Sequence, residues 1–146
     1  MKKKITVVKA VIMDEKGRIL CMKRIDARMP ENNGKWDWPG GKLDAGEDDL
    51  QKTLLRECWE EIGCEVEIIS HFATNYWTSK EVVKGGGLKN MPVAIFNYFS
   101  CRIVKGDPRI LEPDKASEIV WIEKDAIDPN AVCPAFRPVI AKLKSL

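Results

Sequence analysis

Glu57, Glu60 and Glu61 are the residues of this chain most suited to do chemistry. They stand in the run Arg56-Glu57-Cys58-Trp59-Glu60-Glu61. On a helix, side chains three and four residues apart share one face, so the spacing brings all three carboxylates together. Like charges so placed repel, at roughly 0.2–0.5 kcal/mol per pair. One arginine is too little counter-charge for three carboxylates. A hard divalent cation that prefers oxygen ligands, such as Mg²⁺, suits them better. Gly40-Gly41 upstream lets backbone approach a ligand closely. Carboxylates, a divalent cation and exposed backbone together point to chemistry on phosphates.

The stretch from Gly41 to Cys64 reads GKLDAGEDDLQKTLLRECWEEIGC. It resembles the Nudix box of the Nudix hydrolases, G-x5-E-x7-R-E-U-x-E-E-x-G-U, where U is a bulky apolar residue. The matching positions are Gly41, Glu47, Arg56, Glu57, Glu60, Glu61 and Gly63, with Cys58 and Cys64 at the two U positions. There is one departure. Asp48 to Leu55 puts eight residues between Glu47 and Arg56, where the family pattern has seven. With Asp49 as N-cap, the helix keeps its phase and Asp48 becomes a loop insertion. The departure bears on where Glu47 sits relative to the helix.

MutT-like features extend the resemblance along most of the chain: Trp36-Asp37-Trp38-Pro39-Gly40-Gly41-Lys42, the segment Met1 to Arg24, and Pro138 to Lys144. The resemblance implies an α/β/α sandwich around a mixed β-sheet. It implies a Mg²⁺-dependent (or Mn²⁺-dependent) hydrolase cleaving a nucleoside diphosphate linked to another group. For a nucleoside triphosphate the products are the monophosphate and pyrophosphate. Glu57, Glu60 and Glu61 are the expected metal ligands, with a backbone carbonyl from Gly40 as in relatives. Arg56 is expected to hold a neighbouring carboxylate. Lys23, Arg24 and Lys42 are candidate phosphate contacts.

Relatives take the water-activating base either from the box, here Glu57 or Glu60, or from a later loop ahead of a Trp-containing strand. That region runs from Glu112 to Trp121, and Glu112, Asp114 and Glu118 are all candidates; the resemblance can also be aligned so that Lys115 stands where relatives have the acid. Trp36, Trp38, Tyr76 and Trp77 are candidate base-stacking residues. Phe136 stands where MutT-like readers of oxidised guanine have an asparagine. ADP-ribose or a dinucleoside polyphosphate is the alternative substrate, and a catalytically dead nucleotide-sensing domain a third reading. Retention of every box carboxylate speaks against the third.

The rest of the chain must position these groups. Its 146 residues suit one domain, and a 45% hydrophobic content is enough for a core. The 24 basic and 22 acidic residues nearly cancel, which argues against long nucleic acid or an anionic membrane as partner. No apolar run of signal-peptide or membrane-spanning length follows Met1-Lys2-Lys3-Lys4, so a cytoplasmic location is expected. Five cysteines form no zinc spacing, and Cys21, Cys58, Cys64 and Cys101, among apolar neighbours, read as buried thiols. His71 reads as an ordinary strand histidine.

Strands are predicted at Ile5 to Met13, Arg18 to Lys23, around Val66 and Ile68, at Ala73 to Trp77, Met91 to Ile103 and Glu118 to Ile122. A helix is predicted from Asp49 to Ile62, with Leu54, Leu55, Cys58 and Ile62 as its apolar face and Gly63 as a left-handed cap. Ile25 to Lys35 reads as an exposed loop and Thr78 to Asn90, with Gly85-Gly86-Gly87, as a mobile one. Pro138 should open a terminal helix running to about Ser145.

Overall fold

The computed structural model describes residues 4–78 and 93–146. The expected mobile loop, apart from Thr78, lies outside them, as do Met91 and Pro92.

The first strand, β1 (Lys4–Ile12), is buried without interruption from Val7 to Ile12. Such a run belongs to a central strand covered on both faces. It pairs in parallel with β6 (Val93–Lys105) and antiparallel with the short β4 (Gly40–Lys42). With β5 (Glu65–Thr78) these form a mixed sheet of order β4-β1-β6-β5. A second, antiparallel sheet of order β3-β2-β7 joins β2 (Arg18–Arg24), β3 (Trp36–Asp37) and β7 (Ala116–Glu123).

Strand alternation divides the core in two. Val8, Ala10, Ile12, Leu20 and Met22 pack with Leu54, Cys58 and Ile62 of helix α1 (Leu50–Ile62). Val11, Ile19 and Cys21 face the other way, against Trp38, Tyr98, Phe136, Ile140 and Leu143. The strands are thus the middle layer. Helix α1 covers one side, and the C-terminal segment ending in α2 (Ile140–Lys144) covers the other. This is the expected α/β/α arrangement.

Helix α1 begins where the capping argument places it. Asp49 is the N-cap, and its side chain accepts the Lys52 N–H at 3.1 Å. Gly63 closes the helix at φ 69°, donating its N–H to the Trp59 carbonyl at 3.1 Å. Leu55 departs from the predicted apolar face and is 41% exposed. It lies one helical turn from Trp59, itself 60% exposed, and the two line a shallow pocket with Glu65 and Val66 of β5. Thr53 is buried in its place.

Three other expectations change. The two strands predicted between Glu65 and Trp77 are one, because bulges at Ile68/Ser70 and His71/Ala73 absorb the broken pattern while pairing with β6 continues. Pro138 does not open the last helix. Pro134 starts a 3₁₀ stretch through Val139, with Pro138 inside it, and α2 follows. The loop from Ile25 to Lys35 is mostly exposed but buries Asn32. All five cysteines are free and buried, Cys133 included.

Candidate active site

The site forms where α1 passes the β4 strand. Gly40 sits at φ 148°, and a Cβ there would come within 2.0 Å of the Val8 carbonyl oxygen. Only glycine lets β4 lie this close to β1 in that conformation. The Gly40 N–H donates to Glu61 Oε2 at 2.8 Å. At Gly41 a Cβ would stand 2.9 Å from the Glu57 carboxyl carbon, so the Glu57 carboxylate rests against this backbone. The two glycines therefore serve the carboxylates directly.

Arg56 gathers the remaining acids. One terminal nitrogen donates to both Glu60 oxygens, at 3.2 and 3.1 Å, and lies 3.4 Å from Glu57 Oε1. The other donates to both Glu47 oxygens, at 3.2 and 3.3 Å. Glu47 also accepts the Asp44 N–H at 2.8 Å and the Thr53 hydroxyl at 2.9 Å. These contacts, the Asp44 N–H first, hold its carboxyl below the usual range.

Glu57 and Glu61 are shifted the other way. Burial pushes Glu61 up to about 7, against the opposing pull of Lys9 and the Gly40 N–H. Burial likewise raises Glu57, with Arg56 opposing. Desolvated carboxylates short of counter-charge favour either a proton or a cation.

Among the described residues no three acidic, histidine or cysteine side chains converge as a ready-made metal centre. Magnesium needs no such cage; one or two carboxylates with substrate phosphates and water suffice. Glu57 and Glu61 meet that requirement, and their raised proton affinity is what a cation would relieve. The residues present fit the ion.

Glu61, Gly40, Gly41 and Lys42 line a cavity of 430 Å³, with Glu112 and Lys115. Lys9, Asp37, Trp38 and Phe96 also line it. A second, more apolar cavity of 180 Å³ includes Met29, Trp77 and Phe136. Arg24 and Phe96 line both.

The cavity thus brings Arg24, Lys42, Gly40 and Glu61 together, and Glu57 rests against Gly41 beside it without lining it. Glu60 lies on the same helix but is engaged by Arg56. Lys23, Trp36 and Glu118 line neither cavity. They form a row across the second sheet: Lys23 is paired opposite Trp36 and Glu118, its ammonium 5.3 Å from the Trp36 ring and 3.4 Å from Glu118. Alternation along β2 puts Met22 and Arg24 on the cavity face and Lys23 on the other. Of the three later carboxylates considered, Glu112 lines the cavity, bonded to Lys115 at 3.2 Å. Phe136 is 1% exposed and stacks on Trp38 with ring centroids 5.3 Å apart. His71 is exposed and bonds the Thr74 hydroxyl at 2.9 Å.

Sequence reasoning missed Lys9 and Asp37. Lys9 is 6% exposed and donates to Asp37 Oδ1 at 2.9 Å. The available signal was a single lysine inside the apolar run from Val7 to Ile12.

Buried carboxylates facing a glycine backbone, on the helix of an α/β/α fold, define a Nudix site. The chain matches the NUDIX domain over residues 3–143 and belongs to the Nudix family, whose hydrolases act on small nucleotide substrates and use divalent metal ions. Among solved structures, it is similar to a MutT Nudix hydrolase from Burkholderia pseudomallei, at 27% identity, TM-score 0.70, covering 96% of this chain and 98% of that one. A MutT protein from Methanosarcina mazei Go1 is 25% identical, with TM-score 0.73, over 99% of this chain and 95% of that one. The DNA mismatch repair protein MutT from methicillin-resistant Staphylococcus aureus 252 is 26% identical, with TM-score 0.72, over 99% and 98%. No curated protein matches the chain.

Proposed function

We propose that this protein is a Mg²⁺-dependent pyrophosphohydrolase that cleaves a nucleoside triphosphate to the monophosphate and pyrophosphate, as one Nudix domain acting in the cytoplasm. The observation that carries the reading is the cavity that starts at Glu61 and the Gly40-Gly41 backbone and continues to Trp38 and Phe96. Its lining offers phosphates the glycine backbone and Lys42, and offers a base the aromatic side chains of Trp38 and Phe96. The likeness to three MutT structures over nearly their whole length supports it. No helix among the described residues is long and apolar enough to cross a membrane.

Glu57 and Glu61 would hold the ion, with Glu60 and the Gly40 carbonyl as further oxygens; Mn²⁺ is the other ion that fits. When bound, Mg²⁺ neutralises phosphate charge and lowers the cost of forming the leaving oxyanion. Lys42 orients the polyphosphate, and Arg24, already paired with Asp26 and Asp37, lines the same cavity. Water forms a bond to one phosphorus beside the α–β bridge, and that bridging P–O bond breaks. The water proton passes to a carboxylate, for which Glu112 at the cavity wall is the residue we assign.

The test is a panel of nucleoside triphosphates, ADP-ribose and dinucleoside polyphosphates, incubated with Mg²⁺ and resolved by chromatography. Monophosphate plus pyrophosphate from a triphosphate is the expected result. Turnover of ADP-ribose alone, or of nothing, would overturn the reading.

A further inference from the structure

Lys9 is a charged residue in the most buried strand of the molecule, and the hydrolysis chemistry above makes no use of it. An ammonium is retained in such a place only with partners. It has three donors and no acceptor. Two donors are taken, by Asp37 Oδ1 at 2.9 Å and the Trp38 carbonyl at 3.2 Å. No oxygen or nitrogen among the described residues takes the third. The Phe136 ring centroid lies 5.3 Å away, a cushion for the charge but a poor substitute for an oxygen. Lys9 lines the 430 Å³ cavity. A buried donor without a partner therefore faces the space a ligand would fill.

Asp37 decides what kind of acceptor belongs there. Its Oδ1 also accepts the Trp38 N–H at 2.7 Å, and its Oδ2 lies 3.4 Å from Arg24. A phosphate brought to Lys9 would meet this carboxylate as well, whereas a neutral oxygen would not be repelled. Lys9 bonds the Trp38 carbonyl, and Trp38 and Phe96 are the aromatic side chains of the cavity lining, so Lys9 belongs to the part of the cavity suited to a base. With the phosphates held at Lys42 and the Gly40-Gly41 backbone, the part of a nucleotide furthest from them is the base edge remote from the sugar. An amino group there would set donor against donor; a carbonyl would complete the lysine.

We propose that Lys9 is a specificity-determining residue that donates to the carbonyl at this edge, so that the site favours bases with an oxygen there. These are O6 of guanine or hypoxanthine and O4 of uracil or thymine, over the amino groups of adenine and cytosine. The proposal rests on the nucleotide reading of the site, but its test needs no turnover.

The experiment is isothermal titration calorimetry of the full chain with GMP, UMP, AMP and CMP, and with dGMP as a control for the sugar. GMP and UMP should bind at least about tenfold more tightly than AMP and CMP, the factor that one hydrogen bond to a charged donor supplies. Lys9→Met should abolish that ratio. Because this change removes the nearest cation from Asp37, the double variant Lys9→Met with Asp37→Asn is measured beside it and should lose the ratio as well. The wild-type ratio stands whether or not either variant folds. Equal or inverted affinities in the wild type overturn the proposal. So do a ratio that survives in a folded variant, a preference that follows ribose against deoxyribose instead of the base, and failure of every monophosphate to bind. If binding is selective but no triphosphate is hydrolysed, the functional reading fails and this inference holds.

Discussion

Arg56 reaches back nine residues to Glu47 and donates to both of its carboxylate oxygens, at 3.2 and 3.3 Å. The same guanidinium holds both oxygens of Glu60, one turn ahead, at 3.2 and 3.1 Å. A planar fork with five donors can engage both oxygens of two carboxylates at once, which the three donors of an ammonium cannot. The consequence is that the loop before α1 is tied to the helix through Glu47, and Thr53 adds a second tie at 2.9 Å. The extra residue between Glu47 and Arg56 has not broken this link.

The loop can therefore give up that residue. Asp48 is exposed, and among the described residues its side chain makes no hydrogen bond, whereas Asp49 caps the helix. Deleting Asp48 should leave a folded protein with its melting temperature nearly unchanged. Asp49→Ala should cost about 0.5–2 kcal/mol by loss of the cap. Both are read by thermal and urea denaturation. An unfolded deletion variant beside an unaffected Asp49→Ala would place the start of the helix elsewhere.

How much of this could be read from residues alone depends on how local the cause is. Helix α1, its Asp49 cap and its Gly63 terminus follow from spacing and side-chain type within a dozen residues. The facing of Glu57 and Glu61 toward Gly40-Gly41 follows from the same motif. What escaped needs pairing between distant strands. Lys9 is a site residue because β1 lies against β4 and the Trp36–Asp37 strand comes alongside. Glu118 leaves the cavity because its register partner is Lys23, and β-sheet register is not written in a single strand. The bulges that keep β5 whole break the period from which strands are recognised.

Glu61 carries a pH dependence that a chelator should expose. Burial raises its carboxyl from the ordinary 4.5 to about 7. Between those values the folded state binds the proton more tightly than the unfolded chain. Stability without metal is thus at its full value below about pH 4.5 and falls as pH rises toward about 7, by on the order of 3 kcal/mol at most. Glu61→Gln cannot ionise and should lose this component. Urea denaturation in chelator at about pH 5 and about pH 8 measures it, the wild-type gap exceeding that of the variant. Equal gaps would remove the buried-carboxylate account. With Mg²⁺ present, Glu61→Gln and Glu57→Gln should each abolish most turnover while remaining folded; near-normal turnover in either would rule out its metal role.

Two later carboxylates that looked alike in the sequence are separated by their surroundings. Glu112 lines the cavity and is bonded to Lys115. Glu118 lies half exposed beside Lys23, away from it. If Glu112 takes the proton, Glu112→Gln should lower kcat by about 10²–10⁴-fold, the usual contribution of a positioned base. Glu118→Gln should leave kcat within a few-fold. The pH–rate profile of each variant is the measurement. A collapse of kcat in Glu118→Gln with an unaffected Glu112→Gln would reverse the assignment.

The last prediction concerns oxidised guanine. Phe136 lies buried against Trp38, with the Lys9 ammonium 5.3 Å from its ring. It can stack or fill space, and it has no group to hydrogen-bond a base. The polar groups at that wall, Lys9 and Asp37, would meet the O6 edge, which guanine and its 8-oxo form share. The one further polar side-chain atom at this wall is the Trp38 indole N–H, buried and without a partner among the described residues, and a single neutral donor adds little to the choice at C8. A site without a paired polar contact to the altered atom discriminates weakly. The kcat/KM values for the oxidised and ordinary guanosine triphosphates should accordingly be similar. Their ratio is measured with both substrates competing in one reaction. A preference for the oxidised form of a thousandfold, roughly 4 kcal/mol at about 1.4 kcal/mol per tenfold, would mean that the base is read by a group outside this wall.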